Sequence, residues 1–312
     1  GGGEGAGVGE TTARSEQRLL GPGAIVTNGE RGALEPMNRR GWRAMTSDVT
    51  YDQSEGSAGL EKCVDVIWAQ ASQAMEDGDR LVILSGRNIG PERVPGSTLL
   101  ASSAVPHHLV ENQQRTRIGI VLETGEAREV HQHCLLVGYG ADAINPYVAF
   151  ESLFQSKRDG LLEESEYPND DSIVADYRKG VAKGMLKVFA KMGISTLQSY
   201  KGAQIFEAVG LNSSVVDLCF AGTSSRIQGI GFNAIAQGRV ERQALGYIEA
   251  ELSHDAAPGA ARLGDNIKVG KHRLPLKFHV EHPFAHADIF KLREVQLDSI
   301  RPGRRHRPAR VV

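Results

Sequence analysis

The side chains best suited to chemistry in this chain fall in four places. Val137-Gly138-Tyr139-Gly140-Ala141-Asp142-Ala143-Ile144-Asn145-Pro146 is a glycine-rich turn after an apolar run. Glycines there permit positive φ and the close backbone approach that phosphate loops use. Position 143 is Ala where a dinucleotide fingerprint needs its third Gly, and no Lys-Ser or Lys-Thr pair follows, so a tight strand-to-helix turn outweighs a nucleotide site. His131 and His133, downstream of His107 and His108, would share one face of a strand, a geometry able to hold a metal. No carboxylate or cysteine cluster completes that site in the sequence, which favours structural histidines. Ser195, Thr196, Ser199, Tyr200 and Lys201 lie where an apolar strand gives way to a helix, a position at which α/β proteins place functional groups, although hydroxyls capping a helix are the simpler reading. Lys179, Lys183, Lys187 and Lys191 repeat at i,i+4. Like charges at that spacing repel, so a phosphate or an acidic surface would reward them, while a solvated face is the plainer alternative.

The elements that must position these groups follow from periodicity. Short extended segments are expected at 24–27 and 42–51. Leu60, Val64, Ile67, Trp68, Ala71 and Met75 mark an amphipathic helix over 57–77, ended by Gly78. A strand at 80–85, a helix at 99–110, a strand at 117–122 and a strand, alone or running into a helix, at 128–137 come next. Helices alternating with short, wholly apolar strands predict an α/β fold, a mainly parallel sheet with helices on both faces. The acidic interval 155–171 is read as a boundary or a long surface loop. Beyond it the pattern predicts a helix at 173–192, a strand at 194–199, a helix at 203–209 and a helical stretch over 229–252 interrupted at Gly238. The glycine-rich leader 1–18 and the tail 256–312 are expected to be poorly ordered.

The chain has 312 residues, 40% of them hydrophobic and 24% charged, with a formal net charge of -2. That balance gives no reason to expect nucleic acid or an anionic membrane as a partner. Cys63, Cys134 and Cys219 are far apart in sequence, unlike zinc or iron-sulfur ligands, and read as reduced, buried thiols. With no spanning apolar run and no signal peptide, a cytoplasmic location is expected. Residue 1 is Gly, not Met, which suits an internal fragment.

Four blocks carry a family resemblance. They are RRGWRAMTSDVTYDQSEGSAGLE at 39–61, LVILSGRNIGPERVP at 81–95, RTRIGIVLETGEAREVHQHCLLVGYGADAINPYVAFESL at 115–153 and KGVAKGMLKVFAKMGISTLQSYKGAQIFEAVGLNSSVVDLCFAGTSSRIQGIGFNAIA at 179–236. In this order they resemble the large glutamate synthase polypeptide, at the central domain that connects a glutaminase domain to an FMN-bearing synthase domain. The resemblance implies a central domain over 19–192, the opening of the synthase domain, an incomplete β/α barrel, over 193–255, and a divergent tail over 256–312. It implies membership of an enzyme that hydrolyses glutamine, channels ammonia and reductively combines it with 2-oxoglutarate to give two glutamates, with FMN, a 3Fe-4S cluster and electrons from NADPH, NADH or ferredoxin.

The motifs for that chemistry are absent from this sequence. Position 1 is Gly where the family's glutaminase half begins with a nucleophilic cysteine, and the family's glycine-rich flavin loops and CHLNTCPVG cysteine cluster do not occur. Gly86 stands where relatives commonly carry an acidic residue before Arg87. The expectation is therefore a scaffold that holds two active sites in register, with no catalytic, cofactor-binding or metal-binding residue of its own. Gly138, Tyr139, Gly140, Asn145, Ser195, Thr196, Ser199 and Tyr200 are the candidates for an ammonia path or a domain interface. The expected partners are the glutaminase and synthase domains of the same polypeptide, with a small NAD(P)H-oxidising subunit or ferredoxin for the full enzyme. The truncated 193–236 segment is expected to be poorly packed or a helical remnant. The competing reading is a free-standing α/β binding module without catalysis.

Overall fold

Thr27 turns the first described segment from extended to helical. Its hydroxyl accepts from the Glu30 amide at 3.0 Å, and the Glu30 carboxylate accepts from the Thr27 amide at 2.8 Å. This reciprocal capping box starts α1 (Asn28–Leu34). The structure, a computed structural model, describes residues 23–37 and 42–247 and the strands 266–269, 272–275 and 290–292. The leader 1–18 and most of the tail lie outside the described residues.

After α1 come β1 (Ala44–Asp48), β2 (Thr50–Asp52), α2 (Gly56–Glu76), β3 (Leu81–Ser85), β4 (Arg93–Pro95), α3 (Thr98–Glu111), β5 (Gly119–Glu123), α4 (Val130–Gly138), β6 (Ala143–Asn145), α5 (Tyr147–Arg158) and α6 (Asp170–Lys191). β1, β3, β5 and β6 form a parallel sheet in that order, and Ile25 bridges in parallel to Ile144 of β6. Side chains alternate across the strands. Val82, Leu84, Ile120 and Leu122 enter the main core with α2, α3 and α4, whereas Leu81, Ile83 and Val121 enter a smaller cluster that Leu34 of α1, Met37 and Trp42 cover. The expected α/β architecture, a mainly parallel sheet flanked by helices, is what forms.

The second half adds α7 (Leu197–Tyr200), β7 (Phe206–Leu211), α8 (Ser213–Cys219), β8 (Ser224–Ile230), α9 (Phe232–Tyr247), β9 (Asn266–Val269), β10 (His272–Pro275) and β11 (Phe290–Leu292). β7 pairs in parallel with β8 and antiparallel with β11, while β9 and β10 pair antiparallel. One cluster of buried residues runs from Ile25 to Ala236. The loop between α5 and α6 contributes Leu162 and Tyr167 to it.

Four local expectations are corrected. Residues 130–138 are a helix, because Glu129 and Gln132 make a capping box and the run that follows is buried all round, a pattern in which periodicity cannot separate strand from helix. Residues 194–199 are not a strand: Thr196 caps α7 by accepting from the Ser199 amide. Residues 206–211 form a strand instead of the expected helix at 203–209, since pairing with β8 outweighs local preference. Nor is 193–236 poorly packed, for Phe206, Ala208, Leu211, Val215, Cys219 and Phe220 are all buried. In addition, α9 runs through Gly238 without a break.

Candidate functional site

The parallel register brings polar residues into line. β3, β5 and β6 each end an apolar run on a polar side chain, and pairing sets Asp48, the last residue of β1, beside Ser85, Ser85 beside Glu123 and Glu123 beside Asn145. This is the carboxyl edge of the sheet, where open α/β folds bind ligands. Glu123 is its centre and is 2% exposed. It accepts from Ser85 Oγ at 2.5 Å and from Arg87 Nε at 2.8 Å, and pairs with Arg31 Nη2 at 2.9 Å. The Arg87 guanidinium lies 4.2 Å from the Tyr147 ring centroid and 3.4 Å from Glu151. Burial pushes the Tyr147 hydroxyl up to about 12, so it stays a neutral donor to the Gly86 carbonyl at 3.2 Å.

Asn145 closes the row. Its Nδ2 donates to the Val26 carbonyl at 3.1 Å and to Asn28 Oδ1 at 3.0 Å, which seats α1 on the edge. Its Oδ1, like Arg31 Nε, is buried without a hydrogen-bond partner among the described residues. From the other side α9 clasps the same edge. Arg239 pairs with Glu126, whose other oxygen accepts from the Thr98 amide at 2.6 Å, and Gln243 donates to the carbonyls of Gly90 and Arg93.

Chemically this edge is a set of closed ion pairs. Ser85 and Glu123 have the spacing of a nucleophile and a base, but two guanidiniums already occupy that carboxylate, and no imidazole stands beside the hydroxyl among the described contacts. The arrangement fixes backbone positions; it does not activate a nucleophile.

The other predicted site residues lie elsewhere. Because α4 is a helix, the 137–146 turn runs from helix to strand and falls at the amino edge of the sheet. Gly138 packs against Phe206 and Tyr200, where a Cβ would collide with the Phe206 ring. Gly140 has φ +120° and a Cβ there would sit 2.8 Å from Pro106, so both glycines serve close packing and leave no phosphate cradle. Tyr139 stacks on Phe206 and bonds Thr223 through its hydroxyl at 3.0 Å. Tyr200 is buried against Phe189 and the Cys134 thiol. Ser195, Thr196 and Ser199 are exposed. Of the eight candidates, only Asn145 reaches the carboxyl edge.

A second ion cluster ties this amino edge together. Asp142 takes Arg115 at 3.0 Å, Lys201, and the Ile120 amide at 2.8 Å. Burial would raise its pKa, but Arg115, then Lys201 and the Ile120 amide outweigh burial and hold the carboxyl below its ordinary range. Gly202 also donates to the Gly138 carbonyl at 2.8 Å. The β7–α8–β8 unit is thus latched to the sheet at one edge and clasped by α9 at the other.

The histidines do not assemble. On a helix His131 and His133 diverge: His131 is exposed and His133 fully buried, its Nδ1 2.8 Å from the Glu129 carbonyl. His108 stacks on Trp68 and meets Ser72 Oγ at 2.8 Å. Among the described residues no group of three His, Cys, Asp or Glu side chains is placed to hold a metal. The three cysteines sit apart in α2, α4 and α8, each buried and each pushed by burial up to about 12, an arrangement that does not fit an iron-sulfur cluster. Among the described residues no helix is long and apolar enough to cross a membrane.

His133 gives a pH test. Burial pushes its pKa down to about 4, against about 6.5 for an unfolded histidine. Between these values the unfolded chain binds more protons, so stability falls as pH drops through that window. His133→Phe, which keeps a ring against Tyr177, should flatten this part of the pH profile in urea titrations. An unchanged slope would assign it to other groups.

Sequence reasoning missed Arg31, Ser85, Arg87 and Glu123. A usable signal was present, since Leu84-Ser85, Leu122-Glu123 and Ile144-Asn145 each end an apolar run on a polar residue.

Comparisons with known proteins agree with the sequence resemblance. Residues 2–212 match the family model described as the glutamate synthase central domain. The chain is 47% identical over 210 residues to a glutamate synthase [NADH] of Saccharomyces cerevisiae, covering 66% of this chain and 10% of the relative. It is 38% identical over 236 residues to the glutamate synthase [NADPH] large chain of Bacillus subtilis, covering 76% and 15%. With a ferredoxin-dependent glutamate synthase of Spinacia oleracea it shares 32% identity over 283 residues, covering 88% and 17%. The chain spans a small part of the length of each.

Proposed function

The chain belongs to the glutamate synthase central domain family, and we propose that it is the connecting scaffold of a glutamate synthase. In that enzyme glutamine is hydrolysed in one domain, and the ammonia is combined with 2-oxoglutarate and reductant in another to give two glutamates. The chain's partners are then the glutaminase and synthase domains of the same polypeptide, with an NAD(P)H-oxidising subunit or ferredoxin as electron source, in the cytoplasm. FMN and a 3Fe-4S cluster belong to the synthase domain. Family membership disfavours the free-standing binding module.

The observation that supports this reading most is the double fastening of one core. The Asp142 latch and the α9 clasp hold the two halves at opposite edges of the sheet, as a rigid spacer requires, and among the described residues neither edge presents a free nucleophile with a base. Within that spacer Ser195, Thr196 and Ser199 belong to a domain interface. Gly138, Tyr139, Gly140 and Tyr200 form its internal seam, and Asn145, with an unpartnered acceptor oxygen, is the candidate for the ammonia path.

Three measurements test the proposal. Mixed with FMN and desalted, the chain should retain no flavin absorbance, and with glutamine it should release no ammonia. A stoichiometric flavin spectrum would overturn the scaffold reading. In a full-length enzyme containing this segment, Asp142→Ala should leave glutamine hydrolysis intact while glutamate formed per glutamine hydrolysed falls.

A further inference from the structure

Asn28-Gly29 is the only Asn-Gly pair in the sequence, and both residues are exposed at the start of α1. Glycine has no side chain to block its own amide nitrogen from the preceding carboxamide. That nitrogen is also unengaged, because the first amides of a helix have no intrahelical acceptor and Gly29 takes none elsewhere among the described residues. The electrophile is held in place. Asn28 Oδ1 accepts from Asn145 Nδ2 at 3.0 Å, and the Asn145 side chain is fully buried and fixed by the Val26 carbonyl at 3.1 Å. A donor at this distance stabilises negative charge as it develops on a carbonyl oxygen.

We propose that Asn28 is a self-modifying site whose isoaspartyl product releases α1 from the carboxyl edge. The Gly29 amide gives its proton to hydroxide, its nitrogen bonds to Asn28 Cγ, and the oxyanion formed on Oδ1 rests on Asn145 Nδ2. The bond from Cγ to Asn28 Nδ2 then breaks, and Nδ2 leaves as ammonia with a proton from water. Water opens the resulting succinimide at either carbonyl, at Cγ to give aspartate or at the main-chain carbon to give isoaspartate. The helical backbone at Asn28 keeps the two reacting atoms apart, but α1 has only 7 residues, and so short a helix opens readily at its end.

Isoaspartate routes the main chain through its own side chain and so adds a methylene between Thr27 and Glu30. The capping box can then no longer close at both 2.8 and 3.0 Å, and the pairs of Arg31 with Glu123 and of Arg178 with Glu30 leave with α1. Aspartate keeps both the spacing and the acceptor for Asn145. This chemistry is independent of the glutamate synthase reading.

The test follows the Asn28 peptide by mass spectrometry. Held folded at mildly alkaline pH, the chain should gain one mass unit at Asn28 at least as fast as the same chain in urea, in proportion to hydroxide, with isoaspartate detected by enzymatic methylation. Asn145→Ala should slow this conversion about tenfold in the folded chain, as loss of one hydrogen bond to a charged oxygen predicts, and leave the rate in urea unchanged. Gly29→Ala, whose Cβ would meet nothing nearer than Thr27 Oγ1 at 3.9 Å, should fold normally and convert far more slowly. Once separated by chromatography, the isoaspartyl chain should unfold at lower urea than the aspartyl chain, whose midpoint should equal that of Asn28→Asp. A folded chain that keeps Asn28 while the unfolded chain converts, a folded Asn145→Ala chain that converts as fast as wild type, or equal midpoints for the two products would each overturn the proposal. The comparison of folded with unfolded wild type needs no variant and decides the matter if Asn145→Ala does not fold.

Discussion

Replacing Glu123 with alanine is expected to lower the folding stability by about 3–5 kcal/mol, the usual cost of removing one partner from a buried ion pair. The carboxylate is 2% exposed and satisfies Ser85, Arg87 and Arg31 together. Its loss leaves Arg31 with Glu35 alone, leaves Arg87 with Glu151 and the Tyr147 ring, and takes the acceptor from the Ser85 hydroxyl. Since domains are stable by about 5–15 kcal/mol, the variant should have lost a large part of its margin. Glu123→Gln keeps the shape and an acceptor oxygen and should cost less, and adding Arg31→Gln to Glu123→Ala should cost less than the sum of the two. Urea midpoints at constant m-value would read all four species. A Glu123→Ala midpoint close to wild type would mean that water reaches this edge freely.

Gly138→Ala should cost about 1–3 kcal/mol, a range typical of overpacking, although glycine to alanine near a helix end is often harmless. The new Cβ would collide with the Phe206 ring and lie 3.4 Å from Tyr200 Cε1, so the two halves of the core must part to admit it. Phe206→Leu removes the obstructing ring. The double variant should therefore cost less than the two single changes added together, by more than about 0.5 kcal/mol. Additive costs would show that Gly138 does not govern this seam, and would reopen its reading as a ligand loop.

The long elements were legible because their periodicity was unambiguous. The stripe from Leu60 to Met75 matches α2, and LVIL at 81–84 matches a strand buried on both faces. The errors cluster where a short run is apolar in every direction. Cys134 to Val137 is buried all round on α4, and Phe206 to Leu211 owes its extended form to β8, a partner no local window contains. The site was less legible than the fold. Polar residues ending β3, β5 and β6 could be seen one by one, but their alignment is a property of the register. Arg31 arrives from a helix whose cap, Thr27 to Glu30, was readable and went unread. The glycine pair makes the expected tight turn, but from helix to strand instead of strand to helix: the same residues permit either phosphate approach or ring packing, and the end of the sheet at which they fall decides between them.

The bond from Asn145 Nδ2 to the Val26 carbonyl closes a separation of 119 residues. Pairing across so long a loop is slow. Chains emerge from the ribosome at about 5–20 residues per second, so the bridging segment 24–26 waits on the order of ten seconds before β6 exists to receive it. Throughout that interval Ile25 and Val26, both buried in the finished fold, stay unpaired and open to solvent. Dependence on a chaperone during synthesis should therefore concentrate at this bridging segment, and changes that make it less apolar should raise soluble yield while lowering final stability.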